Sequence, residues 1–397
     1  MDASAWGRLQ RIDAGADIAL TEPVTVVGRN RPGQGIAASS ISSAHCTITR
    51  KLVGLEAVVT VRDTSTNGTF VNGERVEKGT EVVLQPFDDV SLLEPSQAQA
   101  VTYVFVDTAV EAREAAQGGP FPAYQLLDFL GRGQYGVVKK ARERATGTVW
   151  AMKIIRLSAS AENSNYRREY DILKDVHHES VIEFHDVFET KACCYIVLEY
   201  IPGGNLLEAI NKLETHQFDE DVAREIIEQI LQALAYLHGR GIIHRDLKLE
   251  NIMWTGRNAE VKLTDFGLSR IVDPSMKATT CCGTLHYVAP EVLLGKEYVG
   301  SKADIWSAGV VLFVMLCGAY PFEEGHRTRV NILEGRIVAA GLDRCSAPLR
   351  DLLGHMLDTH PETRFSAEEC LQHPFFERTK RTAPPDPAAP PPKRPST

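Results

Sequence analysis

The chain has 397 residues, 44% of them hydrophobic, which is enough for two or three ordinary domains, and a formal net charge of −9. That charge balance argues against direct nucleic-acid binding, which calls for a basic face. Eight cysteines without any C-x-x-C spacing fit a reducing compartment better than a zinc site. No apolar signal core opens the sequence, so the expectation is a protein that is not secreted.

In the first hundred residues, short β-rich runs at 24–27, 46–49, 57–61, 81–84 and 101–106 alternate with turn residues, as in an all-β sandwich. Among them stand Gly28-Arg29, Ser42-Ser43-Ala44-His45 and Asp63-Thr64-Ser65-Thr66-Asn67-Gly68-Thr69-Phe70-Val71-Asn72-Gly73. An isolated Gly-Arg or Asn-Gly is most often only a turn. Three such blocks in this order are more specific, and the region 6–107 resembles the forkhead-associated (FHA) domain. The resemblance implies phosphothreonine binding, and the chemistry agrees. A phosphate takes a cation and neutral donors gathered from separate loops, which Arg29, Ser42, Ser43, Thr66 and Asn67 supply. His45 and Asn72 are expected to hold the loops, and Gly28, Gly68 and Gly73 to satisfy backbone geometry.

Residues 108–123 contain Glu111-Ala112-Arg113-Glu114-Ala115-Ala116 and then Gln117-Gly118-Gly119-Pro120, and read as a short helical or flexible linker. Next comes Gly131-Arg132-Gly133-Gln134-Tyr135-Gly136-Val137-Val138, whose glycines allow close backbone approach to phosphates. A dinucleotide-binding fold would place a helix directly after them. Here the sequence continues into two strands around Gly147, the second carrying Ala151 and Lys153. Tyr166, Tyr170, Leu173 and Val176 repeat at helical spacing, and that helix would carry Glu169 toward the sheet as the acidic partner of Lys153. An apolar strand then leads into Leu198-Glu199-Tyr200-Ile201.

The most specific block is His244-Arg245-Asp246-Leu247-Lys248-Leu249-Glu250-Asn251, followed by Asp265-Phe266-Gly267. A lone carboxylate in a loop is usually only solvated. This set places a proton acceptor, a phosphate-binding lysine and two magnesium ligands on neighbouring loops. Farther on stand Ala289-Pro290-Glu291, Asp304 at the head of a helix, and an apolar run at 310–317, eight residues being too few to cross a bilayer.

These blocks resemble the eukaryotic protein kinases over residues 124–376, a bilobal α+β domain, so the fold class expected is multidomain, a sandwich followed by that domain. The resemblance implies ATP and Mg2+. Asp246 would accept the substrate proton, Lys248 would neutralise the moving phosphoryl group, and Lys153 with Glu169 would hold the α- and β-phosphates. Gly131, Gly133, Gly136, Val138, Ala151, Glu199 and Ile201 would shape the nucleotide site, and Asn251 and Asp265 would hold the metal. His244 would fix the loop through the backbone, Glu291 would pair with Arg364, and Asp304 would support the catalytic loop from below. Arg245 beside Asp246 implies control by phosphate on the activation segment, at Thr279 or Thr280. Thr284 would line the substrate site, making the enzyme specific for serine and threonine. Family members that prefer Arg three residues upstream carry an acid after the Gly-Gly pair; here Asn205 follows Gly203-Gly204, with Glu208 and Glu250 close by.

The tail 377–397 is proline-rich and reads as disordered, and Arg378, Lys380, Arg381, Lys393 and Arg394 form either a nuclear-import signal or only a solvated basic tail, the expected compartment being the nucleus and also the cytoplasm. An FHA domain fused to a calmodulin-kinase-like catalytic domain is similar to the checkpoint kinases of the DNA-damage response, including their meiotic fungal branch. Ser96-Gln97 is the one Ser-Gln or Thr-Gln dipeptide, which turns the expectation toward a meiotic or otherwise adapted member. The partners expected are Ser/Thr protein substrates, a phosphothreonine-bearing adaptor and, transiently, a second copy, with neither nucleic acid nor membrane. The competing reading is a phosphopeptide-binding scaffold with a weakly active kinase fold.

Overall fold

The computed structural model describes residues 5–12, 15–54, 56–133, 136–157, 164–256, 259–265, 285–295, 299–323, 325–338 and 341–377. The chain divides into two compact units, residues 1–164 with 184–200 and residues 165–183 with 201–397.

The first unit opens with ten strands: β1 (Gly7–Arg11), β2 (Ile18–Leu20), β3 (Val24–Val27), β4 (Cys46–Val53), β5 (Glu56–Asp63), β6 (Thr69–Val71), β7 (Glu74–Arg75), β8 (Glu81–Leu84), β9 (Asp89–Leu92) and β10 (Val101–Asp107). They form two antiparallel sheets, ordered β2-β1-β10-β9-β6-β7 and β3-β4-β5-β8, as the sequence pattern predicts for a sandwich. Period-two alternation explains the burial: Cys46 and Ile48 point fully inward while Thr47 and Thr49 between them are half-buried. Leu9, Ile48, Val61, Leu92 and Tyr103 share one apolar core.

A second sheet system in the same unit has the order β11-β12-β13-β15-β14, built from β11 (Tyr124–Gly133), β12 (Gly136–Glu143), β13 (Val149–Arg156), β14 (Phe184–Glu189) and β15 (Cys193–Glu199). The segment before it decides between the short helical and the flexible reading of 108–123 in favour of a helix. Helix α1 (Thr108–Ala116) is N-capped by Asp107, whose Oδ1 accepts from the Ala109 N–H at 2.9 Å. Val110 and Phe121 are buried in an apolar cluster with Phe87 and Val104 of the sandwich and Tyr124, Val137, Met152 and Tyr195 of the five-stranded sheet. Glu114 is 5% exposed and accepts from Thr190 Oγ1 at 2.5 Å and Tyr195 Oη at 3.0 Å. A buried carboxylate needs such donors, so the helix is docked and not a tether.

The second unit contains α2 (Ser164–Lys174), α3 (Leu206–Asn211), α4 (Glu220–His238), the pair β16 (Ile252–Trp254) and β17 (Val261–Leu263), α5 (Pro290–Leu293) and α6 (Gly300–Cys317). Ile226, Ile227, Ile230, Leu231, Leu234 and Leu237 give α4 its buried stripe at helical spacing. The apolar run at 310–317 proves to be the inner half of α6, an 18-residue helix of mean hydropathy 1.4 that by length and composition alone could cross a bilayer. Its apolar side chains from Ile305 to Met315 are instead buried within the unit.

Glu291 and Arg364 pair as expected. Arg364 is 1% exposed, donating through Nη1 to Glu291 Oε1 at 2.7 Å and through Nη2 to Oε2 at 2.9 Å. Its remaining donors reach Asp358 O and Lys302 O, and the guanidinium lies 5.1 Å from the Trp306 ring centroid. Removing one member would leave a buried charge without its partner, at a cost of about 3–5 kcal/mol. Arg364→Met should therefore lower the unfolding free energy obtained from urea denaturation by that amount, whereas an equal loss in Glu291→Gln and an additive loss in the double variant would mean that the two residues act independently.

Candidate functional sites

In the second unit the three predicted catalytic-loop residues converge. Lys248 Nζ donates to Asp246 Oδ2 at 2.8 Å, and Asn251 Nδ2 donates to the same oxygen at 2.9 Å and to Asp246 O at 2.7 Å. Both side-chain contacts fall on Oδ2, so the carboxylate is oriented with Oδ1 turned to the other side. Because Asn251 uses its Nδ2 on Asp246, its amide oxygen points away from that pair.

The loop is held from α6. Asp304, 1% exposed, accepts from the His244 N–H at 2.9 Å and His238 Nε2 at 2.8 Å on Oδ2, and from the Arg245 N–H at 2.8 Å on Oδ1. Arg245 takes φ +63, in the left-handed region that costs a side-chain-bearing residue, and the Asp304 contact holds it there. His244 is fully buried, and burial pushes its pKa down, so the ring is neutral and Nε2 donates to Thr264 O at 3.1 Å. Thr264 in turn donates its N–H to Asn251 O at 2.9 Å, which fixes the chain entering Asp265, itself at φ +57. His238 was not foreseen, since nothing in the sequence marks the last residue of α4 as a partner of Asp304.

The first unit carries the predicted phosphate-binding strands. Lys153, 3% exposed, lies on the central strand β13, in register with Val138 on β12 and Ile196 on β15. Ala151 pairs with Lys140 and Leu198, and Glu199 ends β15 opposite Trp150. The glycines separate by role. A Cβ on Gly136 would fall 1.9 Å from Ile154 O, so that residue is fixed by the neighbouring strand, whereas a Cβ on Gly131 would meet nothing within 4 Å. Gly133 pairs with Gly136, and Gln134 and Tyr135 lie outside the described residues.

Ile201 is buried in the second unit, and Glu169 lies on α2 there with its side chain outside the described part. Thr279, Thr280 and Thr284 fall outside the described residues. Asn205 acts as the N-cap of α3, accepting from the Glu208 N–H at 2.9 Å, a role that an aspartate would fill equally well.

The sandwich loops gather the other predicted set. The Arg29 N–H donates to Ser42 O at 2.9 Å, and a Cβ on Gly28 would sit 2.5 Å from Ser43 O, so only glycine admits this approach. Ser42 Oγ accepts from the Thr66 N–H at 3.3 Å, and Asn67 Nδ2 donates to Ser40 O at 2.7 Å. Ser42 thus ties two loops together, while Ser43 is exposed. His45, fully buried, accepts from the Ser42 N–H on Nδ1 at 3.2 Å and donates from Nε2 to Gly68 O at 2.9 Å; burial lowers its pKa, consistent with the neutral ring these bonds need. The Nε atom of Arg29 is shielded from solvent and has no hydrogen-bond partner among the described residues. Gln34 was missed by the sequence reading: it accepts from the Gly28 N–H at 2.9 Å and donates to Val26 O at 2.8 Å, a brace that a loop glutamine does not advertise.

Comparison with known proteins identifies two domains. A protein kinase domain model matches residues 124–376 and an FHA domain model matches residues 15–92. The probable serine/threonine-protein kinase fhkC of Dictyostelium discoideum is 33% identical over 96% of this chain and 67% of its own length. Its relative fhkE is 34% identical over 94% of this chain, which spans only 54% of fhkE. The serine/threonine-protein kinase cds1 of Schizosaccharomyces pombe is 33% identical over 81% of this chain and 74% of its own length. On these matches and the loops that carry them, the chain belongs to the protein kinase family, as a serine/threonine protein kinase with an FHA domain ahead of its catalytic domain.

Proposed function

We propose that this chain transfers the γ-phosphoryl group of ATP to serine and threonine hydroxyls of proteins, recruited by phosphothreonine on an adaptor, in a DNA-damage or meiotic checkpoint. The observation that carries the catalytic half is the Asp246–Lys248–Asn251 cluster, where one carboxylate oxygen is anchored and the other is turned away. In this reading Asp246 orients the substrate hydroxyl and accepts its proton. Lys248 neutralises charge on the transferred group, and Lys153 binds the α- and β-phosphates.

Asn251 and Asp265 fit a magnesium ion, since both offer oxygen donors and Asn251 has its nitrogen committed to Asp246. Bound there, magnesium would neutralise the phosphate oxygens. Asp304 and His244 keep the loop in shape while the proton moves.

Recognition of phosphothreonine is supported by the Arg29 Nε, a charged donor among loops that already share Ser42, Thr66 and Asn67. The checkpoint role is supported by the resemblance of an FHA domain ahead of a kinase domain to the checkpoint kinases. An adaptor bearing several phosphothreonines would bring two copies together at roughly millimolar effective concentration, favouring phosphorylation of Thr279 or Thr280 in trans, and the nucleus is the expected compartment.

Three measurements test this. Asp246→Ala should lower label transfer from ATP to a basic Ser/Thr peptide by roughly 10²-fold or more; equal label in variant and parent would remove the enzyme reading and leave the scaffold. Arg29→Ala should weaken phosphothreonine-peptide binding by about 2 kcal/mol, near 30-fold, with label transfer to the free peptide unchanged, and undiminished affinity would exclude Arg29 from the phosphate site. In cells carrying Asp246→Ala at the native locus, arrest after DNA breaks, mitotic or meiotic, should be lost; normal arrest in both divisions would refute the checkpoint assignment.

A further inference from the structure

Asp88 stands where the FHA domain meets the five-stranded sheet, both within the first unit. Its side chain is 3% exposed with both oxygens engaged: Oδ1 accepts from Asn72 Nδ2 at 2.7 Å and faces Arg156 Nη2 at 2.5 Å, while Oδ2 accepts from the Gln85 N–H at 2.6 Å. Asn72 follows β6, the short strand that leaves the Thr66-Asn67 loop; it takes φ +52, and its Oδ1 accepts from the Asp89 N–H at 3.0 Å. At the other end, Arg156 is the last residue of β13, the strand that presents Lys153. One buried carboxylate therefore links the turn behind the phosphate-binding loop to the strand behind the phosphate-binding lysine.

Packing reinforces the link. The residue before Asp88 is Phe87, a bulky side chain at φ +68, a conformation that persists only when its surroundings impose it. Its N–H donates to Phe105 O at 2.7 Å, and its side chain is buried in the apolar cluster with Val137, Met152 and Ile154. Lys139 Nζ, from a fully buried lysine on β12, lies 5.8 Å from the Phe87 ring centroid. Glu114, bound to Thr190 and to Tyr195 on β15, braces the same junction from α1.

We propose that Asp88 and Arg156 are positioning residues through which phosphothreonine bound to the FHA domain orders the β13 strand and so tightens the hold of Lys153 on ATP. The proposal rests on the reading of the two ligand sites given above. Ordering one end of a shared module lowers the entropic cost of ordering the other, so the coupling is positive and each ligand raises affinity for the other. Arg156 has 39% of its side chain exposed, so the ion pair is open to salt and the coupling weakens as ionic strength rises.

The test uses the full chain, already phosphorylated, with a monovalent phosphothreonine peptide, which cannot bring two copies together. At saturating peptide, the KM for ATP should fall about five-fold, at the lower end of typical couplings, with kcat unchanged. Arg156→Lys should retain the effect at low salt. Arg156→Leu should abolish it while binding the phosphopeptide as tightly as the parent in the absence of nucleotide. An unchanged KM in the parent with peptide bound, or a full effect in Arg156→Leu, overturns the proposal. Failure of every phosphothreonine peptide to bind, or of the parent to turn over ATP, is a distinct result that removes the underlying functional reading and the coupling with it.

Discussion

A carboxylate inside a helical core is tolerated only if donors surround it, and Asp304 is placed where backbone N–H groups of His244 and Arg245 and the His238 ring all point at it. That one requirement organises the catalytic loop. It holds Arg245 in a left-handed conformation, which turns the chain so that Asp246, Lys248 and Asn251 meet. The buried, uncharged His244 carries the constraint on to Thr264, next to Asp265. The geometry of the loop is therefore set from the N-terminal part of α6, a strongly apolar helix of the second unit, through a carboxylate that is itself buried.

Much of this was legible in the residues. Asp246, Lys248, Asn251, Asp304 and the Glu291–Arg364 pair are polar groups whose spacing has few other uses; the structure forms the Glu291–Arg364 pair and the Asp304 support of the loop as expected, and brings Asp246, Lys248 and Asn251 into contact. The sandwich followed from alternating β-branched runs, although β1, β2, β6, β7 and β9 were not read as strands. Those strands are short or carry charged and polar residues, as in Gly7-Arg8-Leu9-Gln10-Arg11, so periodicity is weak there and pairing with better-marked neighbours decides their structure. Gly136 looked like a phosphate-loop glycine, and its motif is one; the packing reason, the carbonyl of Ile154 on an adjacent strand, is a tertiary fact that local sequence does not contain.

The segment after β10 shows its helix in the sequence but not its packing. Glu111 to Ala116 followed by a Gly-Gly-Pro stop has the composition of a solvated spacer, and only two large apolar side chains, Val110 and Phe121, hint at docking. Glu114 carries no signal of burial, because a charge on a short helix is ordinarily solvent-facing and its partners Thr190 and Tyr195 lie far along the chain. Likewise Asp88 reads as a turn aspartate, and its use by both Asn72 and Arg156 emerges only when separate stretches fold together.

The shared apolar cluster around Phe87, Val110, Phe121 and Tyr195 bears on how such chains can diverge. Recombination that exchanges one phosphopeptide-reading sandwich for another would ordinarily be tolerated at a flexible joint. Here the crossover point has no neutral position: a foreign sandwich lacking Phe87 would leave a void over Met152, and one arriving without α1 would strand the Tyr195 hydroxyl in an apolar interior. Phe87, α1 and the outer face of the five-stranded sheet must accordingly be inherited as a block, and drift in any one of them is restricted by the other two.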